Sequence, residues 1–297
     1  MAALLLSPAA AAARGQDLHV PENYFTIQEA LDAAKPGDRV VVANGTYRQA
    51  IALRSGVTLE SAGGPDSCLL IPVPGVLAMI TADSLAAPAT IRGFRLDGQQ
   101  YQARQGIHVT ASRVDILDNH LEGLNVGVYL EGCPEGLIAR NAILRCRSAG
   151  LLIMESSPRV VSNEMRYSGE YSIAVNGRTS RPVIGGSRGR SNIIVSNKGS
   201  VDLGNGTPLN LDARYNNWGQ GTAVEMNRKG YPANISTIED NFDDPQNGRV
   251  DYRHWAGQPF LSSLLCEPAR LILPALLAVA VVVGVILRIS AGRRRAA

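Results

Sequence analysis

The sequence predicts an all-β fold, a parallel β-helix in which short strands stack coil upon coil. Three observations lead to this prediction. The 297 residues include 30 Gly but only 5% aromatic residues. Asparagines recur at Asn119, Asn141 and Asn163, each 22 residues after the last. In the short segments between them, aliphatic residues occupy alternate positions, as strands with one buried face require.

The repeat length fits one coil of three strands. Three strands of about three to five residues, with turns, use about 22 residues, and parallel strands of successive coils then pair at about 4.8 Å. We expect the repeated asparagines to stack where the chain bends and to bond backbone groups of neighbouring coils. A leucine-rich horseshoe is the alternative repeat fold, but its L-x-x-L-x-L-x-x-N pattern is absent. The aliphatic residues predicted to stack inward are Ile107, Val109, Val128, Leu130, Leu151, Ile153, Ile173 and Val175.

A helix is predicted before the first coil. Thr26 as N-cap and Glu29 three residues later form a capping-box pattern, and Pro36-Gly37 ends the helix. Its apolar face comprises Ile27, Ala30, Leu31 and Ala34. We expect this capping helix to cover the open edge of the first coil, which would otherwise recruit another strand.

These features resemble the right-handed parallel β-helix proteins of the pectin-lyase-like superfamily. The resemblance extends from about Leu18 to Phe260, and it includes a closing segment around Tyr215-Asn-Asn-Trp-Gly219. It implies a right-handed, single-stranded β-helix domain over residues 18–260. We expect Trp218 and Trp255 to cover the last coil, although a sugar-stacking role for Trp218 is an alternative. The fold itself does not fix an activity.

Both ends of the chain are expected to lie outside the β-helix. Residues 1–17 resemble a secretory signal peptide, and residues 261–270 form a juxtamembrane linker. Residues 271–287, LILPALLAVAVVVGVIL, carry no charged or polar side chain and predict a transmembrane helix. The basic tail, 288–297, predicts a cytoplasmic C-terminus and therefore an extracellular or periplasmic β-helix. Four tail arginines account for more than the whole net charge of +3.

The resemblance also suggests where chemistry would lie. Enzymes of this superfamily that cleave acidic polysaccharides use carboxylates, Arg or Lys, and often Ca²⁺ on an outer strand face. The repeat alignment places Arg95 beside His120 in one outward column and Asp97 beside Glu122 in the next. These four residues are the candidate catalytic set of a polysaccharide lyase or glycoside hydrolase, and two close carboxylates could also hold Ca²⁺. The alternative is an ordinary solvated face of mixed charge.

A second outward column contains His108 and Tyr129, with Glu131 in the column beside it. Aromatic rings, hydroxyls and carboxylates together are suited to glycan binding, so these three residues are the candidate substrate-binding set. No His or Cys spacing typical of a metal site occurs, no resident cofactor is predicted, and no basic stripe with interleaved aromatics suggests nucleic acid. Three functions follow as hypotheses: a membrane-anchored carbohydrate-binding or surface-display module, a polysaccharide-cleaving enzyme, and a structural spacer of the cell envelope.

Overall fold

The computed structural model describes residues 15–100 and 102–258, within which the chain forms 25 strands and two helices. After the first two strands, which pair with each other, consecutive strands belong to different sheets, and strands of successive coils pair in parallel. Three parallel sheets of ten, seven and eight strands result, and we number them sheets 1, 2 and 3. The predicted parallel β-helix is therefore confirmed over the described residues.

The strands of each sheet follow one another along the coil axis. Sheet 1 consists of β1 (Asp17–Val20), β2 (Arg39–Val42), β5 (Thr58–Ser61), β8 (Ala89–Arg92), β11 (Val114–Leu117), β14 (Leu137–Ala139), β17 (Arg159–Val161), β20 (Val183–Ile184), β23 (Leu211–Asp212) and β25 (Val250–Asp251). Sheet 2 consists of β3 (Gly45–Arg48), β6 (Cys68–Ile71), β9 (Arg95–Asp97), β12 (His120–Glu122), β15 (Ala142–Leu144), β18 (Glu164–Arg166) and β21 (Ile193–Val195). Sheet 3 consists of β4 (Ile51–Ala52), β7 (Ala78–Asp83), β10 (Gln105–Thr110), β13 (Val126–Glu131), β16 (Ala149–Met154), β19 (Tyr171–Asn176), β22 (Val201–Gly206) and β24 (Ile238–Glu239).

The aliphatic ladders fill the inside of the coil as predicted. In sheet 3, Val128 pairs with Ile107 on one side and with Leu151 on the other. All three side chains are fully buried. Because aliphatic side chains of successive coils stack on one another, most of the core is aliphatic, although Phe94, Trp218 and Tyr252 are also fully buried in it. This explains the low aromatic content of the sequence.

The asparagine stack is confirmed and is longer than the 22-residue spacing indicated. Asn141 accepts hydrogen bonds at Oδ1 from the backbone N–H and the side-chain amide of Asn119, at 3.0 and 3.1 Å. The same geometry continues through Asn163 to Asn192 and Asn216. Spacing alone missed the last two, because Asn192 follows Asn163 by 29 residues and Asn216 follows Asn192 by 24.

Two helices lie at the ends of the coil. Helix α1 (Ile27–Ala33) has the predicted capping box between Thr26 and Glu29, and it contacts β1, β2 and β4. Helix α2 (Gly219–Lys229) was not predicted, since the segment before it was interpreted as a tight turn. Trp218, which immediately precedes α2, is 1% exposed, so it cannot serve as a sugar-stacking platform. Trp255 is buried as well.

The predicted membrane helix, residues 271–287, lies outside the described residues, as do residues 1–14 of the predicted signal peptide. Within residues 15–100 and 102–258, no helix is long and apolar enough to cross a bilayer.

Candidate functional site

The candidate catalytic residues come together on sheet 2 in the predicted register. His120 pairs with Arg95 and Glu122 pairs with Asp97, because β12 stacks directly on β9. Glu122 is only 7% exposed, although the alternation of β12 was expected to point it outward. The reason is that two guanidinium groups cover it: Arg95 and Arg145 each donate a hydrogen bond to one of its carboxylate oxygens.

Arg145 is the one member of this cluster that sequence reasoning missed. It lies in the coil corner just after β15, at φ 52°, at the position that Gly123 occupies one coil earlier. The repeat alignment could have identified Arg145. It pairs Leu144 with Glu122, so the residue after Leu144, which is Arg145, lies at the corner next to Glu122. A positive φ turns this corner residue out of the strand direction, so its long side chain reaches back to Glu122.

Glu122 is therefore an ionised carboxylate held between cations. Burial alone would raise the pKa of Glu122, but the hydrogen bond and charge of Arg95, with the charges of His120 and Arg145, hold it below its ordinary value. His120 Nε2 lies 3.8 Å from a Glu122 oxygen. A general acid for glycoside cleavage needs a raised pKa. The lowered pKa of Glu122 does not favour that role.

Asp97 shares a groove of ≈ 300 Å³ with Glu122, Gln100 and Arg145. Its Oδ1 accepts the Gln99 backbone N–H at 2.8 Å, which fixes the turn after β9. The suggested Ca²⁺ pair does not assemble as such, because both oxygens of Glu122 face guanidinium groups. Among the described residues, no three His, Cys, Asp or Glu side chains converge on a metal position.

The candidate binding residues form a second cluster, on the outer face of sheet 3. The rings of His108 and Tyr129 meet edge to face, with centroids 4.7 Å apart and planes at 86°. The Tyr129 hydroxyl donates to Glu131 Oε2 at 3.3 Å. His108 Nε2 lies 3.1 Å from the Thr110 hydroxyl. Strand pairing fixes all four side chains, since β10 and β13 are consecutive in sheet 3.

This packing shifts the pKa values of His108 and Tyr129. Burial lowers the pKa of His108, although the charges of Glu131 and Asp83 partly oppose it. The imidazole is thus neutral near pH 7 and offers both a donor and an acceptor nitrogen. Burial, followed by the charge and hydrogen bond of Glu131, raises the pKa of Tyr129, which keeps its hydroxyl protonated. The cluster presents an aromatic edge, a hydroxyl and a carboxylate side by side.

The two clusters lie on different sheets. Arg95, Asp97, His120 and Glu122 belong to β9 and β12 of sheet 2, whereas His108, Tyr129 and Glu131 belong to β10 and β13 of sheet 3. The spacing within one column of residues does not indicate where a column on another sheet lies.

Comparison with known proteins extends the fold assignment. A family model described as "Right handed beta helix region" matches residues 89–218. The comparison with curated proteins gives no match. Among solved structures, the A-module of a mannuronan C-5 epimerase from Azotobacter vinelandii has 15% sequence identity and a TM-score of 0.43, and the alignment covers 64% of this chain and 60% of that one.

Two further structures show the same level of similarity. The pectin methylesterase PemA from Erwinia chrysanthemi is 13% identical with a TM-score of 0.41, and the alignment covers 83% of this chain and 79% of that one. The catalytic domain of a GH87 α-1,3-glucanase is 15% identical with a TM-score of 0.46, covering 80% and 45%. At such identities the likeness concerns fold alone. The strand topology of the chain shows a parallel β-helix, and residues 89–218 match the right-handed β-helix model.

Proposed function

We propose that this chain is a membrane-anchored, extracytoplasmic glycan-binding module and that the outer face of sheet 3 around Tyr129 is its binding surface. The observation that carries the proposal is the cluster of His108, Tyr129 and Glu131, in which an aromatic ring lies beside hydrogen-bonding groups on a rigid sheet. Sugars present apolar C–H faces and polar hydroxyls together, so a ring with adjacent acceptors and donors matches them.

The sheet supports the proposal because it holds these groups before any ligand arrives. Tyr129 is fixed between His108 and Leu152 of the neighbouring strands. A site whose side chains are already ordered loses little conformational entropy on binding. By comparison, the Glu122 carboxylate on sheet 2 is paired with Arg95 and Arg145. It therefore has fewer free acceptor positions for a sugar hydroxyl.

The ends of the chain support the membrane part of the proposal. The uncharged run 271–287 and the arginines after it suit a single spanning helix with a cytoplasmic tail. At the opposite end, α1 buries Ile27, Ala30 and Leu31 against the first strands. We include in the proposal that α1 covers the first coil and so keeps an exported β-helix from pairing with another through its edge.

A glycan array with the full-length chain in detergent micelles tests the binding function. We expect saturable binding to at least one glycan class, and Tyr129→Ala should weaken it roughly 10-fold, since it removes the ring and its hydroxyl. Tyr167→Ala is the matched control, because Tyr167 is 50% exposed but lies in a corner after β18 of sheet 2. Equal losses in both variants, or no binding to a broad array, would reject the proposal.

Topology is tested separately in intact cells of the source. Protease added from outside should degrade the β-helix and spare a tag placed after residue 297. A β-helix that is protected while the tag is cleaved would reverse the proposed orientation.

A further inference from the structure

A second polar cleft lies at the C-terminal end of the coil, away from Tyr129. It has a volume of ≈ 430 Å³ and is bordered by the loop before β23 and the loop before β25. This volume is within the range of small-ligand sites. The polar residues around it are Asn210, Tyr231, Asn241, Asn247, Arg249 and Asp251.

The loop that forms one wall of the cleft is held rigidly. Asp240 is 3% exposed, and its carboxylate accepts the backbone N–H groups of Phe242 and Val250, both at 2.9 Å. Asn205 donates from Nδ2 to the Gly248 carbonyl at 2.7 Å. The two walls approach so closely at Gly248 that a Cβ there would lie 2.0 Å from the Leu209 carbonyl oxygen. The cleft is therefore formed before a ligand arrives.

Arg249 belongs to this wall, and no carboxylate among the described residues pairs with it. Its backbone N–H donates to Asn210 Oδ1 at 2.8 Å, and its Nε donates to Asn241 Oδ1 at 3.4 Å. Its guanidinium carbon lies 5.2 Å from the centroid of the Phe242 ring, which supports the plane of the group. Within the described part of the chain, the two terminal nitrogens of Arg249 have no hydrogen-bond partner. A guanidinium oriented in this way presents a fork of donors that matches an oxyanion.

The other groups of the cleft are mainly donors. Because Asn210 and Asn241 use Oδ1 to accept from Arg249, their amide nitrogens remain as donors. The Asn247 side chain has no hydrogen bond within the described residues, and the Tyr231 hydroxyl has none either. Four side chains that can donate hydrogen bonds thus line the same cleft as Arg249.

The carboxylates nearby do not oppose an anion at this position. Asp251 is paired with Arg253 at 2.7 Å, so its charge is compensated. Asp240, Asp243 and Asp244 accept backbone N–H groups inside the loop, and none of them lines the cleft.

We propose that this cleft is a second binding site, which takes a sugar-sized ligand through an oxyanion and uses Arg249 as its principal binding residue. A carboxylate would receive two parallel hydrogen bonds from the fork, and a sulfate group would receive the same pair with a third oxygen left for an asparagine amide. The ring of Tyr231 then lies beside the body of the ligand.

Isothermal titration calorimetry with the full-length chain in detergent micelles tests this site, with glucuronate, glucose 6-sulfate and glucose as probes. We expect at least one of the anionic probes to bind 10-fold or more tightly than glucose, and the preferred one identifies carboxylate or sulfate as the natural group. Arg249→Gln should weaken binding of the anionic probe roughly 10- to 100-fold and remove the preference, as the loss of a charge-assisted pair predicts.

Two further variants separate a lost contact from a disturbed loop. Asn247→Ala should weaken binding several-fold and leave the melting temperature unchanged, because its amide supports nothing else within the described residues. Arg147→Gln is the matched control, because Arg147 is an exposed arginine in the corner before β16 with no side-chain partner among the described residues. This variant should bind the anionic probe as tightly as the unaltered chain does. The proposal is wrong if neither anion binds, if glucose binds equally well, or if Arg249→Gln retains the preference. Tyr129→Ala should leave glucuronate binding intact, so this result is independent of the glycan surface on sheet 3.

Discussion

Removing one amide from the middle of the asparagine stack should destabilise the whole coil. Asn141 is 2% exposed and takes part in five hydrogen bonds through its side chain. Oδ1 accepts two from Asn119, and Nδ2 donates to the carbonyls of Ile116 and Ala139 and to Oδ1 of Asn163. Asn141→Ala removes all five and leaves buried donors and acceptors on two neighbouring coils without partners.

The expected loss in the free energy of unfolding follows from the net contribution of each of these hydrogen bonds. A hydrogen bond contributes about 0.5–1.5 kcal/mol net, so five bonds correspond to about 2.5–7.5 kcal/mol. Bonds that share one amide are not independent, which favours the lower half of that range. We therefore expect Asn141→Ala to lower the free energy of unfolding by about 3–4 kcal/mol, a large part of the stability of an ordinary domain.

Urea unfolding followed by circular dichroism measures this loss, and hydrogen exchange locates it. The Asn119 backbone N–H should lose its protection, because its acceptor has gone, whereas the Val40 N–H in the second strand of sheet 1 should keep it. Asn44→Ala is the control, since Asn44 is exposed and has no side-chain hydrogen bond within the described residues. A loss below about 1 kcal/mol, or equal loss of protection at both amides, would refute the argument that the stack carries stability.

Two predictions concern carboxylates whose pKa values move in opposite directions. Glu122 has a lowered pKa, so its ion pairs stabilise the fold above the ordinary value of 4.5, and this contribution is lost as the pH falls through the lowered value. Glu122→Gln should cost about 1–2 kcal/mol at pH 7 in urea unfolding, discounted for the exposure of both guanidiniums, and less at pH 3. A cost that is the same at both pH values would contradict this assignment. Asp202 is 2% exposed, and burial raises its pKa, although hydrogen bonds from Ser196, Thr222 and Thr237 partly oppose this shift. The free energy of unfolding should therefore decline as the pH rises from about 3.8 through the raised pKa. Asp202→Asn should flatten that decline in melting temperatures measured from pH 3 to 8, and an unchanged slope would count against it.

The positions of strands within a coil could be predicted because the sequence repeats. The repeat of about 22 residues aligns His108 with Tyr129, 21 residues later, and Asp97 with Glu122, 25 residues later. The observed registers agree with both alignments. Parallel stacking converts distance along the chain into a fixed neighbour at about 4.8 Å, so a repeat predicts contacts without any knowledge of the rest of the fold.

Prediction was less successful where the repeat is interrupted. Asn192 and Asn216 belong to the stack but follow longer coils, so that spacing alone did not find them. Helix α2 replaces a predicted turn, since the segment that follows Trp218 has no counterpart in earlier coils. The cleft around Arg249 was missed for the same reason, because its walls come from two loops outside the repeat.

The sequence by itself determined the architecture of this protein: its parallel coils, its inward aliphatic ladders, its asparagine stack and the capping box of its first helix. Periodicity encodes each of these, because identical local geometry in every coil gives each residue type the same neighbours. Only the tertiary structure decided the state of individual functional groups. Glu122 is a shielded, ionised carboxylate rather than a free one, since Arg95 and Arg145 reach it from the coils on either side, and Arg249 is left with an open fork because two loops meet at Gly248. Such charges and clefts depend on side chains that converge across different segments, and no pattern along a single segment records that convergence.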